Sequence, residues 1–133
     1  MRPGAQPLRR SCQRPAWGDD LYAVYGSHLL VVHKNIDVAE KSASAKRLFE
    51  ATGMGACVVT EESDDLENLF VPDVEIVTYS DLDDCATRIE QLLEEPDKAA
   101  RIGERGQART LADHTYRRRV EALVEILQSS ELL

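Results

Sequence analysis

Three short apolar runs decide most of what this chain can become. Leu29-Leu30-Val31-Val32, Ala56-Cys57-Val58-Val59-Thr60 and Glu75-Ile76-Val77-Thr78-Tyr79 are each set off by turn-forming or polar residues. Runs that stay apolar without alternating read as strands covered on both faces, as in a parallel sheet. Between the first two lie a small, polar loop over 37–44 and a helix expected over 45–52. Gly53 and Gly55 then let the chain turn sharply into the second strand. An acidic loop over 61–65 and a helical turn around Leu66, Leu69 and Phe70, ended by Val71-Pro72-Asp73, lead to the third. Strands alternating with helices at this spacing predict an α/β fold: about three parallel strands in a partial, doubly wound, Rossmann-like sheet flanked by helices.

The flanks of this unit are helical. Asp19 or Asp20 can cap a short helix placing Leu21, Val24 and Tyr25 on one face, closed by Gly26-Ser27. Ser80 or Asp81 caps a helix over 82–94 with Ile89, Leu92 and Leu93 on its inner face. Pro96 suits the first turn of the next helix, expected to end near Leu111. The corner His114-Thr115-Tyr116 follows, with Thr115 capping a last helix that carries Val120, Leu123, Val124 and Leu127.

Charge divides the chain at residue 18. Residues 1–18 carry Arg2, Arg9, Arg10 and Arg14 and no acid, which leaves 12 bases and 24 acids in the remainder of a 133-residue chain of formal charge −8. Residues 1–18 read as a flexible basic arm, with a transit peptide or a contact for an acidic partner as the other readings. Residues 19–133 read as the folded domain. So acidic a surface repels phosphate backbones and argues against nucleic-acid binding. No apolar run approaches the roughly 18 residues of a membrane span. Cys12, Cys57 and Cys85 have no CxxC or metal-ligand spacing, and reduced thiols in a cytoplasmic protein are expected.

Two segments carry more information than composition. One runs Arg47-Leu48-Phe49-Glu50-Ala51-Thr52-Gly53-Met54-Gly55-Ala56-Cys57-Val58-Val59-Thr60 and continues through Leu69-Phe70-Val71-Pro72-Asp73-Val74-Glu75-Ile76-Val77-Thr78-Tyr79. The other is Gly106-Gln107-Ala108-Arg109-Thr110-Leu111-Ala112-Asp113-His114-Thr115-Tyr116-Arg117-Arg118-Arg119. In this order they resemble the C-terminal domain of GT-B glycosyltransferases, in the branch containing the CgeB-like spore maturation proteins, over about residues 17 to 127. The resemblance implies sugar transfer from a nucleotide-sugar, usually without an essential metal, and gives Glu50 the role of binding the nucleotide ribose.

The chemistry of the segment suits that role. A carboxylate only accepts hydrogen bonds and has two oxygens, so Glu50 can take both ribose hydroxyls. Ser42, Ala43, Ser44 and Ala45, small residues at the start of the 45–52 helix, would offer backbone N–H groups to a diphosphate at the helix's positive end. Lys46 or Arg47 can add a cation. Many GT-B enzymes carry a second Glu eight residues earlier; that position is Ser42 here, and Glu40 is two residues out of register. Without the motif, Glu50, Lys46 and Arg47 would read as solvated charges, Glu75 as a cap or pair near the cleft, and Arg117-Arg118-Arg119 as a solvated helix face. His114 and Tyr116 read as residues that fix helix packing, and His28 and His33 have no nucleophile partner at a recognisable spacing.

A GT-B site lies between two lobes, and the length leaves no room for the second. The expectation is therefore a fragment without transferase activity of its own, with a stand-alone nucleotide-binding module or an acidic interaction scaffold as alternatives. An open sheet exposes an unpaired edge, and a homodimer burying the edge near Leu29 to Val32 is expected.

Overall fold

The computed structural model describes residues 12–35 and 45–130. The elements among these residues are α1 (Asp19–Gly26), β1 (Leu30–His33), α2 (Ala45–Gly53), β2 (Cys57–Glu61), a 3-10 turn (Leu66–Asn68), β3 (Val77–Tyr79), α3 (Leu82–Glu94), α4 (Pro96–Asp113) and α5 (Tyr116–Ser129). The strands form one parallel sheet in the order β1-β2-β3. Leu30 pairs with Cys57 and His33 with Thr60, then Val59 with Val77 and Glu61 with Tyr79.

Side chains along β2 alternate between two cores, which is why its sequence shows no polar face. Cys57 and Val59 join Val77, Tyr79 and the α3–α4 residues Cys85, Leu92, Ala99 and Ile102 on one face. Val58 and Ile76 join Leu48 and Ala51 of α2, with Leu66 and Phe70, on the other. Both crossovers between strands therefore cover one face, and the helices after β3 return across the opposite one.

α4 links the two layers by passing beneath the amino ends of the strands. Ala99 and Ile102 belong to the first core, whereas Thr110 meets α2, its hydroxyl 2.6 Å from that of Thr52. The close approach depends on glycine. A Cβ at Gly103 would press into the backbone of Gly55 and Cys57, and one at Gly106 into the Glu75 carbonyl. Gly55 itself turns into β2 at φ 85°, a conformation a side chain disfavours.

The helix ends follow local chemistry. The Asp81 carboxylate accepts from the Asp84 N–H at 2.9 Å and Thr115 Oγ1 from the Arg118 N–H at 3.4 Å, each an N-cap. Several expectations are corrected. Leu93 is 61% exposed, because Cys85, Ile89 and Leu92 define the inward face of α3 and Leu93 falls beside it. The third strand starts at Val77, since Asp73 (φ 60°) and the Val71 N–H bond to the Glu75 carboxylate (2.9 Å) hold the preceding residues in a turn. α4 extends to Asp113, and Gly53 is the last residue of α2, so that only Gly55 makes the turn in a left-handed conformation. Val24 of α1 is exposed, and no residue of α5 is buried.

Candidate functional site

α2 presents two faces. Leu48, Ala51 and Thr52 point into the protein, and the Thr52 hydroxyl bonds back to the Leu48 carbonyl at 2.6 Å. Lys46, Phe49, Glu50 and Gly53, at helical spacing, face a cleft of about 610 Å³. Tyr22 of α1 and Met54 close one side, and Thr110, Leu111, His114, Thr115, Tyr116 and Arg119 of the α4–α5 corner close the other.

The cleft is mainly apolar, with few charges. Glu50 is its one carboxylate among the described residues; its side chain is 17% exposed and lies 3.9 Å from the Lys46 ammonium. Lys46 and Arg119 are its permanent cations, so this lining is positive in a chain whose net charge is −8. Phe49 supports the wall. The His114 ring stacks on it with centroids 4.6 Å apart, and the Arg119 guanidinium lies 5.2 Å from its centroid. His114 Nε2 is 2.7 Å from the Leu69 carbonyl; a carbonyl only accepts, so Nε2 carries a proton. His114 thus fixes packing, as expected, whereas Arg119 is held against Phe49 and is not simply solvated.

A second polar cluster sits at the carboxyl ends of the strands, where open α/β sheets bind ligands. His33 Nδ1 lies 3.0 Å from Thr60 Oγ1, and the Tyr79 hydroxyl donates to the His33 carbonyl at 2.9 Å. Burial lowers the His33 pKa, the Arg47 charge lowers it further, and Glu61 opposes both. Burial also raises the Tyr25 hydroxyl, with Arg47 lowering it and Glu50 raising it. Arg47 therefore projects its field toward the strand ends, one step round α2 from the cleft.

The structure brings Glu50 and Lys46 together in the cleft and places Arg47, exposed, between the cleft and the strand ends. Ser42, Ala43 and Ser44 lie outside the described residues. Glu75 is not near the cleft: at the amino end of β3 it caps Val71 and lies 3.8 Å from Arg109. Phe49, Tyr22, Met54 and Arg119 were missed by sequence reasoning. Phe49 adjoins Glu50 in the motif, but only the fold shows that it forms a wall. Among the described residues no cluster of three or more His, Cys, Asp or Glu could hold a metal ion, and no helix is long and apolar enough to cross a membrane.

A family model described as glycosyl transferase-like matches residues 4–125, nearly the whole chain. The chain belongs to this glycosyl transferase-like family. No curated protein matches it. The match spans both the α2 segment with Glu50 and the α4–α5 corner, so the two walls of the cleft come from the family's own domain. In this glycosyl transferase-like chain the parallel sheet lies between the two cores. The cleft is carried on α2 and on the corner that α4 reaches from below.

Proposed function

We propose that the chain is the donor-binding half of a GT-B enzyme of the CgeB-like branch, and that the Lys46–Glu50 end of the cleft holds a nucleotide-sugar. Glu50 accepts hydrogen bonds from the ribose 2′- and 3′-hydroxyls. It lies five residues into α2, about 7.5 Å along the axis from the helix start at 1.5 Å per residue. That distance sets a ribose on Glu50 with its diphosphate at the positive end of α2, the end that Ser42, Ala43 and Ser44 precede in the sequence. Lys46 on the cleft side and Arg47 on the strand side then flank the phosphates. Phe49, held by His114, is the apolar wall next to the sugar ring.

The observation that carries this reading is one partly buried carboxylate, Glu50, with a cation beside it in the positive cleft of an acidic protein. This arrangement holds a donor; the acceptor and the group that activates it must face the donor from the opposite side. The chain is therefore expected to bind without transferring sugar by itself. Calorimetric titration of the 133-residue chain with UDP- and GDP-sugars tests the reading. Binding at millimolar strength or better, weakened about tenfold or more in Glu50→Ala, supports it, since a hydrogen bond to a charged group is worth about 1.5–3 kcal/mol. Absence of binding to any nucleotide, with the fold intact, contradicts it and favours a scaffold.

A further inference from the structure

Packing leaves one donor unused at the carboxyl ends of the strands. Val31 and Val58 lie in the core that Leu48 and Ala51 of α2 cover. His33 and Thr60, register partners two residues further along β1 and β2, fall on that same face. α2 leads through Gly55 into the amino end of β2, so its first turn, with Arg47, lies toward the carboxyl end of this face. Thr60 is fully buried, and its hydroxyl has His33 Nδ1, 3.0 Å away, as its one partner among the described residues. A hydroxyl proton needs an acceptor, so Thr60 donates to Nδ1 and the imidazole proton sits on Nε2. Burial and the Arg47 charge both favour the neutral ring. From β3 the Tyr79 hydroxyl donates to the His33 carbonyl at 2.9 Å. Nε2–H has no partner among the described residues, although His33 is only 8% exposed. A buried donor left unpaired is costly, which points to a ligand oxygen at this place.

The charges nearby favour an anion. Arg47 is exposed, has no ion-pair partner among the described residues, and acts electrostatically on the imidazole. Glu61, the carboxylate that also acts on the ring, follows Thr60 and so belongs to the opposite face of β2. A fixed neutral donor, a free guanidinium and the positive end of α2 together suit one anionic oxygen group. We propose that His33 Nε2–H and Arg47 hold the distal phosphoryl group of the nucleotide-sugar, the one that bears the sugar. This rests on the reading of Glu50 as the ribose acceptor. The proximal phosphate follows the ribose directly, and the distal one lies a step further from Glu50, past the first turn of α2 toward β1. His33 thus makes the site select a diphosphate, because a monophosphate ends short of it.

Calorimetric titration of the full chain with uridine and guanosine mono- and diphosphates tests this, with circular dichroism confirming the fold of each variant. Two variants divide the roles of the imidazole. His33→Asn sets an amide near the position of Nδ1, which keeps a partner for Thr60 and leaves nothing at Nε2. His33→Gln sets its amide N–H near the position of Nε2. His33→Asn is expected to weaken diphosphate binding about tenfold or more with monophosphate binding unchanged, and His33→Gln to stay within about threefold of wild type. Arg47→Gln, at an exposed position, should weaken the diphosphate about threefold or more and the monophosphate less. If His33 serves only Thr60, the order of the two His33 variants reverses, which overturns the inference. Equal losses for mono- and diphosphate in His33→Asn, or no loss in either, overturn it as well. Nucleotide binding that depends on Glu50 and not on His33 overturns it alone and leaves the ribose assignment standing. Diphosphate binding that depends on His33 and not on Glu50 supports the subsite and overturns the ribose assignment. Absence of binding to any of the nucleotides overturns both.

Discussion

Gly103→Ala reports directly on how α4 positions the cleft. On an exposed helix, glycine to alanine would stabilise by about 1 kcal/mol through helix propensity. At Gly103 the added methyl would meet the Gly55 carbonyl oxygen and the Cys57 backbone nitrogen, neither of which can rotate away. Forcing a group into such a site costs about 1–3 kcal/mol and at times more. All the atoms met belong to the backbone of residues 55–57, which favours the upper part of that range, so the steric cost exceeds the propensity gain. The expected net loss is about 1–2 kcal/mol, a fall in Tm of several degrees for a chain of this size. Gly26→Ala is the internal control. Its Cβ would meet the end of the Met54 side chain at 3.2 Å, and that side chain can move, so its effect should stay within about 0.5 kcal/mol. Urea unfolding followed by circular dichroism measures both, with an unchanged m-value showing that stability alone has moved. If Gly103→Ala were neutral or stabilising, α4 would not pass beneath the strand ends, and its corner could not close the cleft.

Other expectations come from single contacts. Thr52 donates to the Leu48 carbonyl and so accepts from Thr110, making a buried hydroxyl pair. Thr110→Val should therefore cost about 1 kcal/mol, and Thr52→Val with Thr110→Val together less than the sum of the singles, read by a double-mutant cycle of urea midpoints. Asp81→Ala removes the α3 cap and should cost about 1 kcal/mol by the same measurement. The His33 pKa is lowered in the fold, mainly by burial, so the unfolded chain binds the proton more readily. That contribution to stability is present above the unfolded value of about 6.5 and is lost as pH falls below it toward the lowered folded value. Thermal unfolding between about pH 7 and 5 should show this slope, and His33→Gln should flatten it. An unchanged slope in His33→Gln would show that His33 is not the titrating group.

What the sequence made legible was local. The first two strands, Pro96, and the caps at Asp81 and Thr115 depend on neighbouring residues, and each lies within a residue of where the pattern puts it. What it concealed depends on contacts between distant segments. Gly103 and Gly106 sit in an ordinary helical pattern, and only the backbone of Gly55 and Glu75 shows why both lack a side chain. Two small residues three apart on one helix face were the available signal. Arg119 looked like part of a solvated run because Phe49, its partner, lies 70 positions earlier. Leu93 looked buried because it adjoins Leu92, while the width of the inward face is fixed by β2 and β3. In the candidate site, Glu50 was legible through its motif, whereas the cleft needs the α4–α5 corner to be folded against α2.

The most direct test of the proposed role for Glu50 is a binding cycle. It compares wild type and Glu50→Gln, titrated with a nucleoside diphosphate and with its 2′,3′-dideoxy analogue. If the carboxylate accepts from the ribose diol, removing the hydroxyls should weaken wild-type binding by about tenfold or more. The same removal should cost Glu50→Gln much less. Equal losses in the two proteins would show that Glu50 does not touch the ribose and would contradict the assignment.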